Sequence, residues 1–369
     1  MNNNKIIDEF QKNIYGYIPA IFNYIKFKFN IIENDKITIN NIYVNRIQIE
    51  YILYDTNKQL IWNILIYIPV TNKKVNCILG LNFNGNYTVY TDENIIKTKI
   101  ETEHKNISGY DKEEWQIEYL LKNNFAVCTL YLGQIKPSKI PGKYDKLDEN
   151  FYKGIDIFSG NKNKNEWGTI YKWAWGLNKV AIFIKYELNL NIDKIILYGL
   201  SRLGKSALWS MTIYDIYDSI ICACSGRGGA ANSKRNKVET VEQINKRFPT
   251  WFCDNYKKYN NNTIKNIKID QELLLYIISP KRVYISSSFK DKYSDIYGEL
   301  LTILHSEKYY KNIKKNININ FNNYQNILKN NLNCNLFTYD CNIGYHCSNK
   351  VHGVYSEDWI HYLKFLSNT

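Results

Sequence analysis

The eight cysteines of this 369-residue chain form no Cys-x-x-Cys pair and no spaced set with histidine. Nothing in that pattern points to a zinc site. Cys77, Cys128, Cys222 and Cys224 lie inside apolar runs, where a free thiol packs as a small hydrophobe. Cys341 and Cys347 flank a histidine-bearing stretch and are read as two reduced thiols rather than a disulfide. No apolar run approaches the roughly 20 residues of a membrane span, so no membrane partner is expected. The opening Met1-Asn-Asn-Asn-Lys-Ile-Ile-Asp8 has no apolar h-region. It reads as a chain without a signal peptide, hence cytoplasmic, or secreted if the chain is a processed form. No Arg-rich helix and no aromatic RNA-binding strand stands out. The formal charge of +13, from 48 Lys and Arg against 35 Asp and Glu, is therefore not read as a nucleic-acid footprint. The lysines are scattered among Asn, Ile and Tyr. At most they imply a mild attraction for acidic polysaccharide. No internal repeat and no linker divides the chain, so one domain, 1–369, is expected.

What is present is an alternation of strands and helices. Arg46–Tyr54 alternates as a strand, and Leu60–Pro69 is its expected hairpin partner, ended by proline. Val75–Phe83, Asn124–Tyr131, Ser219–Cys224, Arg282–Ser288 and Asn335–Tyr339 also read as strands. Trp167 to Leu188 has helical spacing, and its Trp173 and Trp175 are expected in the core. Such alternation implies an α/β fold, a mostly parallel central sheet sandwiched by helices. Three regions stand apart. Residues 1–40 read as a helical lead-in, 225–270 as a loop-rich substrate-side insertion, and 308–333 as an Asn/Lys/Ile-rich expansion without glycine or proline.

The chemistry centres on Ile195-Ile-Leu-Tyr-Gly-Leu-Ser201-Arg-Leu-Gly-Lys205. An apolar strand ends in Gly199, and Ser201 opens a helix. That is how an α/β-hydrolase exposes a nucleophile at a tight strand-to-helix turn. The usual second glycine is replaced by Leu203, and Gly204 comes one residue later. A serine hydroxyl is a weak nucleophile until a neutral imidazole can take its proton and a carboxylate holds that imidazole. The order Ser, acid, His is met by Asp291 after the 282–288 strand and by His346 and His352 in the loop after the 335–339 strand. Arg202 and Lys205 place two cations at a helix N-terminus, against its dipole, which suggests an anionic partner there. No metal or cofactor is called for.

Several blocks together resemble the glucuronoyl esterases, in their bacterial-type branch. They are the elbow Tyr198–Trp209, Gly80–Val89, Glu166–Gly176, Ser225–Ala231, Phe248–Phe252, the 283–299 segment and Ile343–His346 with His352. The resemblance implies an α/β-hydrolase fold and metal-free cleavage of esters of 4-O-methyl-glucuronic acid. By resemblance Ser201 is the nucleophile, His352 the base and Arg202 an oxyanion-holding residue. Lys205 and Glu239 would contact the sugar, and Tyr293 stands where relatives carry a ring-packing tryptophan. Relatives place the triad acid after the sixth strand of their fold, after the seventh, or at both. The sixth-strand position here is Cys224, a poor anionic orienter unless its pKa is strongly lowered. Asp291 is the remaining acid, with Asp295 as its fallback, and His346 is read as structural. Gly353 replaces the aspartate that follows the family's histidine.

Fold does not fix substrate. An acetylxylan esterase or another carbohydrate or carboxyl esterase on the same scaffold is the alternative. A carbohydrate-binding, catalytically degenerate hydrolase is the non-enzymatic one.

Overall fold

The structure is a computed structural model that describes residues 2–98, 107–138, 153–159, 163–235, 237–261, 263–310, 334–336 and 342–367. These residues form two compact units. One comprises 16–196 with 250–253, and the other comprises 1–15, 197–249 and 254–369.

In the first unit the strands are β1 (Lys26–Ile39), β2 (Ile42–Tyr54), β3 (Gln59–Pro69), β4 (Val75–Asn82) and β5 (Phe125–Tyr131). Their order is β1-β2-β3-β5-β4, followed by β6 (Ile192–Leu200), whose chain runs on into the second unit. β1, β2, β3 and β5 are joined by antiparallel ladders, and β4 and β5 are parallel. The expected 46–54/60–69 hairpin is present, with Tyr51 opposite Trp62. β1 overturns the helical reading of the lead-in: only Asn3–Phe10 is α-helical, continued by a wider turn to Tyr15. Two asparagines in the left-handed region, Asn40 (φ 46°) and Asn41 (φ 64°), turn β1 into β2. Asn-Asn is a sound choice for such a tight turn, because Asn tolerates positive φ. β1 is mostly exposed and polar at the sheet's edge, so it lacks the clean alternation that marks β2.

The core of this unit is aromatic. Trp175 of the helix Thr169–Ile182 meets Trp62 edge-on at 5.9 Å and Trp167 at 5.8 Å. Such pairs add about 0.5–1.5 kcal/mol each beyond the area they bury. Trp173 and Trp175 are both buried, as their helical setting suggested.

In the second unit the order is β6, β7 (Ser219–Ala223), β8 (Arg282–Ser288), β10 (Ile343–Ser348) and β9 (Cys334–Leu336). β7, β8 and β10 are parallel, and β9 closes this side antiparallel to β10. The helices Arg202–Ile213, Ile296–Ser306 and Ser356–Ser367 accompany them. β10 corrects the sequence reading, which put both His346 and His352 in the loop after the 335–339 strand. His346 lies on β10 itself, buried, opposite Ser286 of β8. The stretch Ile-Gly-Tyr-His-Cys-Ser is short, and a buried histidine breaks its apolar character, which hid the strand. Of the expected 335–339 strand only residues 335 and 336, within β9, are described. Most of the 308–333 expansion and the partner in the Cys341–Cys347 question lie outside the described residues. Among the described residues of the 225–270 insertion there is one α-helix, Val241–Arg247, opened by a capping box between Thr240 and Gln243. No helix among the described residues is long and apolar enough to cross a membrane.

Candidate active site

Every candidate residue belongs to the second unit, at or beyond the C-terminal ends of β6, β7, β8 and β10. Ser201 follows β6 with φ 59° and ψ −125°, a backbone state that ordinary residues avoid. Such strain persists only where the surroundings enforce it. Here a Cβ on Gly199 would meet the Leu203 carbonyl oxygen at 2.4 Å, and one on Gly204 would meet the Gly199 oxygen at 2.8 Å. Gly204 thus does the close packing for which the usual motif places a glycine one residue earlier. The Ser201 N–H donates to the Ala223 carbonyl at 2.8 Å, tying the elbow to the end of β7. The helix then runs from Arg202 to Ile213, with Ser201 as its N-cap residue.

Asp291 lies three residues beyond β8 and His352 four beyond β10. They meet: His352 Nδ1 is 2.5 Å from Asp291 Oδ2. The other oxygen, Oδ1, accepts the Tyr293 amide at 2.7 Å and the Ser294 amide at 3.1 Å. Burial raises the Asp291 carboxyl, but the His352 contact and these two amides outweigh it and hold the pKa below the ordinary carboxylate value. The Asp291 side chain is fully buried, whereas that of His352 is 26% exposed. An imidazole that gives Nδ1–H to a carboxylate keeps its Nε2 lone pair for a hydroxyl. Asp295, the fallback acid, is engaged elsewhere. Its carboxylate accepts Arg235 Nε at 2.9 and 3.0 Å and the Gly298 amide at 3.1 Å, capping the helix that follows.

Cys224, directly after β7, sits beside this pair. It too has a left-handed backbone, φ 45°. Its thiol lies 3.4 Å from Ser288 Oγ and 3.8 Å from the Gly353 carbonyl. Burial, with the nearby carboxylates adding to it, pushes the thiol well above its ordinary pKa. Cys224 is therefore a neutral neighbour of the pair, as expected of an unactivated cysteine.

The remaining candidates surround this centre. Arg202 places its guanidinium over the Phe248 ring at 5.9 Å. Lys205 is almost fully buried and donates to the carbonyls of Ser225 (2.6 Å) and Arg227 (2.7 Å), so it pins the loop after β7. Burial lowers its pKa to about 8, against the raising influence of the Glu239 and Glu299 charges. Arg227, buried, reaches the carbonyls of Asn232, Ser233, Lys237 and Glu239 and so sets the backbone that carries Glu239. Tyr293 is half exposed, and its ring meets the His352 ring edge-on at 5.9 Å. His346, read as structural, is buried with both ring nitrogens engaged: Nδ1 contacts the Tyr284 hydroxyl at 2.8 Å and Nε2 contacts Asp358 at 2.7 Å.

Two residues escaped the sequence reading. Arg247 pairs with Glu239 at 3.2 Å and lies over both Phe248 (5.2 Å) and Tyr293 (5.5 Å). It directly precedes the noted Phe248–Phe252 block, which was the available signal. Glu299 is a fully buried carboxyl that accepts from Ser287 Oγ (2.5 Å), the Gly226 amide (2.8 Å) and Ser225 Oγ (3.3 Å). Burial raises its pKa to about 7. It lies in an apolar helical run with no cue to its partners.

The chain is similar to known carbohydrate esterases. The family described as "Glucuronyl esterase, fungi" matches residues 115–312. A carbohydrate esterase, MZ0003, from an unknown prokaryotic organism is 32% identical over 325 residues, covering 83% of this chain and 71% of that one. The solved glucuronoyl esterase from Solibacter usitatus aligns with a TM-score of 0.81 at 26% identity, over 99% of this chain and 91% of that one. A promiscuous CE15 esterase from a marine bacterial metagenome aligns at 0.79 and 27%, over 99% and 90%.

Proposed function

The chain belongs to the glucuronoyl esterase family, and within it we propose that Ser201, His352 and Asp291 cleave esters of 4-O-methyl-glucuronic or glucuronic acid through an acyl-enzyme. It is a carboxylic ester hydrolase. The reading is carried by one observation: the Asp291–His352 contact at 2.5 Å, in the same unit as a strained serine elbow.

The steps follow from the groups present. His352 Nε2 takes the Ser201 hydroxyl proton as the oxygen attacks the uronate ester carbonyl. The developing oxyanion meets the Arg202 guanidinium and the backbone amides that open the elbow helix. Asp291 keeps Nδ1–H in place and stabilises the imidazolium. His352 then protonates the leaving alcohol. Water enters with His352 as base and releases the uronic acid and free Ser201. Lys205 and Glu239 serve the sugar hydroxyls, and Tyr293 offers its ring face to the pyranose. Arg247 holds Glu239 and Tyr293 in one arrangement, because it contacts both.

The test is hydrolysis of benzyl glucuronate beside 4-nitrophenyl acetate, with wild type and Ser201→Ala. Cleavage of the uronate that disappears in Ser201→Ala, with little on the acetate, is the expected result. Serine-dependent cleavage of the acetate alone would move the substrate to the acetyl or general esterase reading. Retention of more than a trace of uronate cleavage in Ser201→Ala would sink the mechanism.

A further inference from the structure

Cys224, Asp291 and His352 form a cluster with a second chemical capacity. One ligand atom from each, a thiol sulfur, a carboxylate oxygen and a ring nitrogen, lies within 4.8 Å of the other two. The backbone builds this proximity. Cys224 turns through its left-handed φ at the end of β7, and its N–H donates to the Ser286 carbonyl of β8 at 2.7 Å. Its thiol then touches Ser288, three residues before Asp291, and the carbonyl of Gly353, directly after His352. The sulfur is buried, but the partly exposed imidazole offers a route from solvent.

We propose that this cluster is an inhibitory site for a thiophilic divalent cation of the zinc and cadmium class, bound by Cys224 Sγ, the Asp291 carboxylate and His352 Nδ1. A mixed sulfur, nitrogen and oxygen donor set suits a borderline-soft d10 ion. Ligand atoms about 2.0–2.3 Å from a tetrahedral ion stand roughly 3.3–3.8 Å apart, so small side-chain rotations bring these three into register. A carboxylate at position 224 would leave a harder site. The thiol is what gives this chain its thiophilic character.

The site follows from the cluster alone. Its inhibitory effect rests on the reading of His352 as the base. The bound ion replaces the thiol proton, which leaves to solvent, and occupies Nδ1. The neutral imidazole then carries its proton on Nε2. Nε2 becomes a donor instead of an acceptor, and the Ser201 proton has no place to go. Ser201 itself is untouched.

The experiment titrates chelator-treated protein with cadmium. Bound metal is read by equilibrium dialysis, the thiolate-to-cadmium charge-transfer absorption by spectroscopy, and benzyl glucuronate hydrolysis in parallel. We expect one cadmium whose charge-transfer signal rises as turnover falls, with both reversed by chelator. Cys224→Ser should lose that signal and bind cadmium at least about tenfold more weakly. If Cys224→Ser does not fold, His352→Gln keeps the thiol and should show the same weakening by dialysis. Cadmium held equally well by the variants, or held without a charge-transfer signal, would overturn the site. Binding at the cluster with undiminished turnover would overturn the inhibition and the use of His352 as base. Cadmium binding by dialysis is read without turnover, so failure of the site and failure of the catalytic reading remain distinguishable.

Discussion

Two histidine–aspartate pairs stand in the same unit, and they are built for opposite ends. His346 and Asp358 are both buried, and both nitrogens of the imidazole are taken, by Tyr284 and by Asp358. Asp358 also accepts the Tyr355 amide at 2.8 Å and so fixes the start of the C-terminal helix. His352 and Asp291 share a contact of similar length, but there the carboxylate is buried and the imidazole is partly exposed. Only Nδ1 is committed to the aspartate. A histidine with both nitrogens engaged inside a core is a brace. One with Nδ1 held and Nε2 left for a hydroxyl is equipped as a base. The pair alone does not make a catalytic dyad. Exposure and the second nitrogen's partner decide.

Substitutions should separate the two pairs. His352→Gln is expected to cost the most, about 10⁶-fold in kcat for a uronate ester, with the melting temperature little changed. Steady-state kinetics and thermal unfolding on the same sample would show it, and a mainly thermal effect would break the contrast. Asp291→Asn should lower kcat by roughly 10⁴-fold, because the imidazole loses its correct tautomer. Adding Cys224→Glu to Asp291→Asn sharpens the comparison, since it places a carboxylate within reach of His352 from the end of β7. Partial recovery of kcat is expected, and none would mean that the end of β7 cannot reach His352. His346→Gln should show the reverse profile: destabilisation of about 1–3 kcal/mol from the buried groups left unpaired, read by denaturant unfolding, with kcat largely retained below the melting point. A selective loss of kcat would make His346 more than a brace.

The smallest expected effect concerns Glu299. Its folded pKa, about 7, lies above the unfolded value near 4.5. The folded state therefore holds more protons between those values, and stability falls as pH rises through that window. Glu299→Gln should remove this component, so melting temperature plotted against pH should be flatter between about 4.5 and 7 than in wild type. Parallel curves would contradict the effect of burial.

The sequence made much of this legible. The elbow was readable because a strand, a glycine and a helix start fall within a few residues, and Asp291 and His352 follow it in the order a triad requires. Gly204 could be seen to sit one place late, but only the folded elbow explains why it suffices: its missing Cβ faces the Gly199 carbonyl. β1 was illegible because an exposed, polar edge strand has no buried face to print a pattern on. β10 was illegible because burial of His346 depends on Tyr284 and Asp358, 62 and 12 residues away. Glu299 and Arg247 were missed for a similar reason. Nothing near either in the chain announces partners that converge only on folding. Cys224 stands out in the sequence only as a thiol at a strand end, and its place against both Asp291 and His352 is a property of three strand ends.

The most direct test labels the protein with a fluorophosphonate and locates the modified residue by mass spectrometry. It would be carried out on wild type, His352→Gln and His346→Gln. The account predicts labelling of Ser201 in wild type and in His346→Gln, and loss of labelling in His352→Gln. Modification of another residue, or labelling at the same rate in His352→Gln as in wild type, would contradict it.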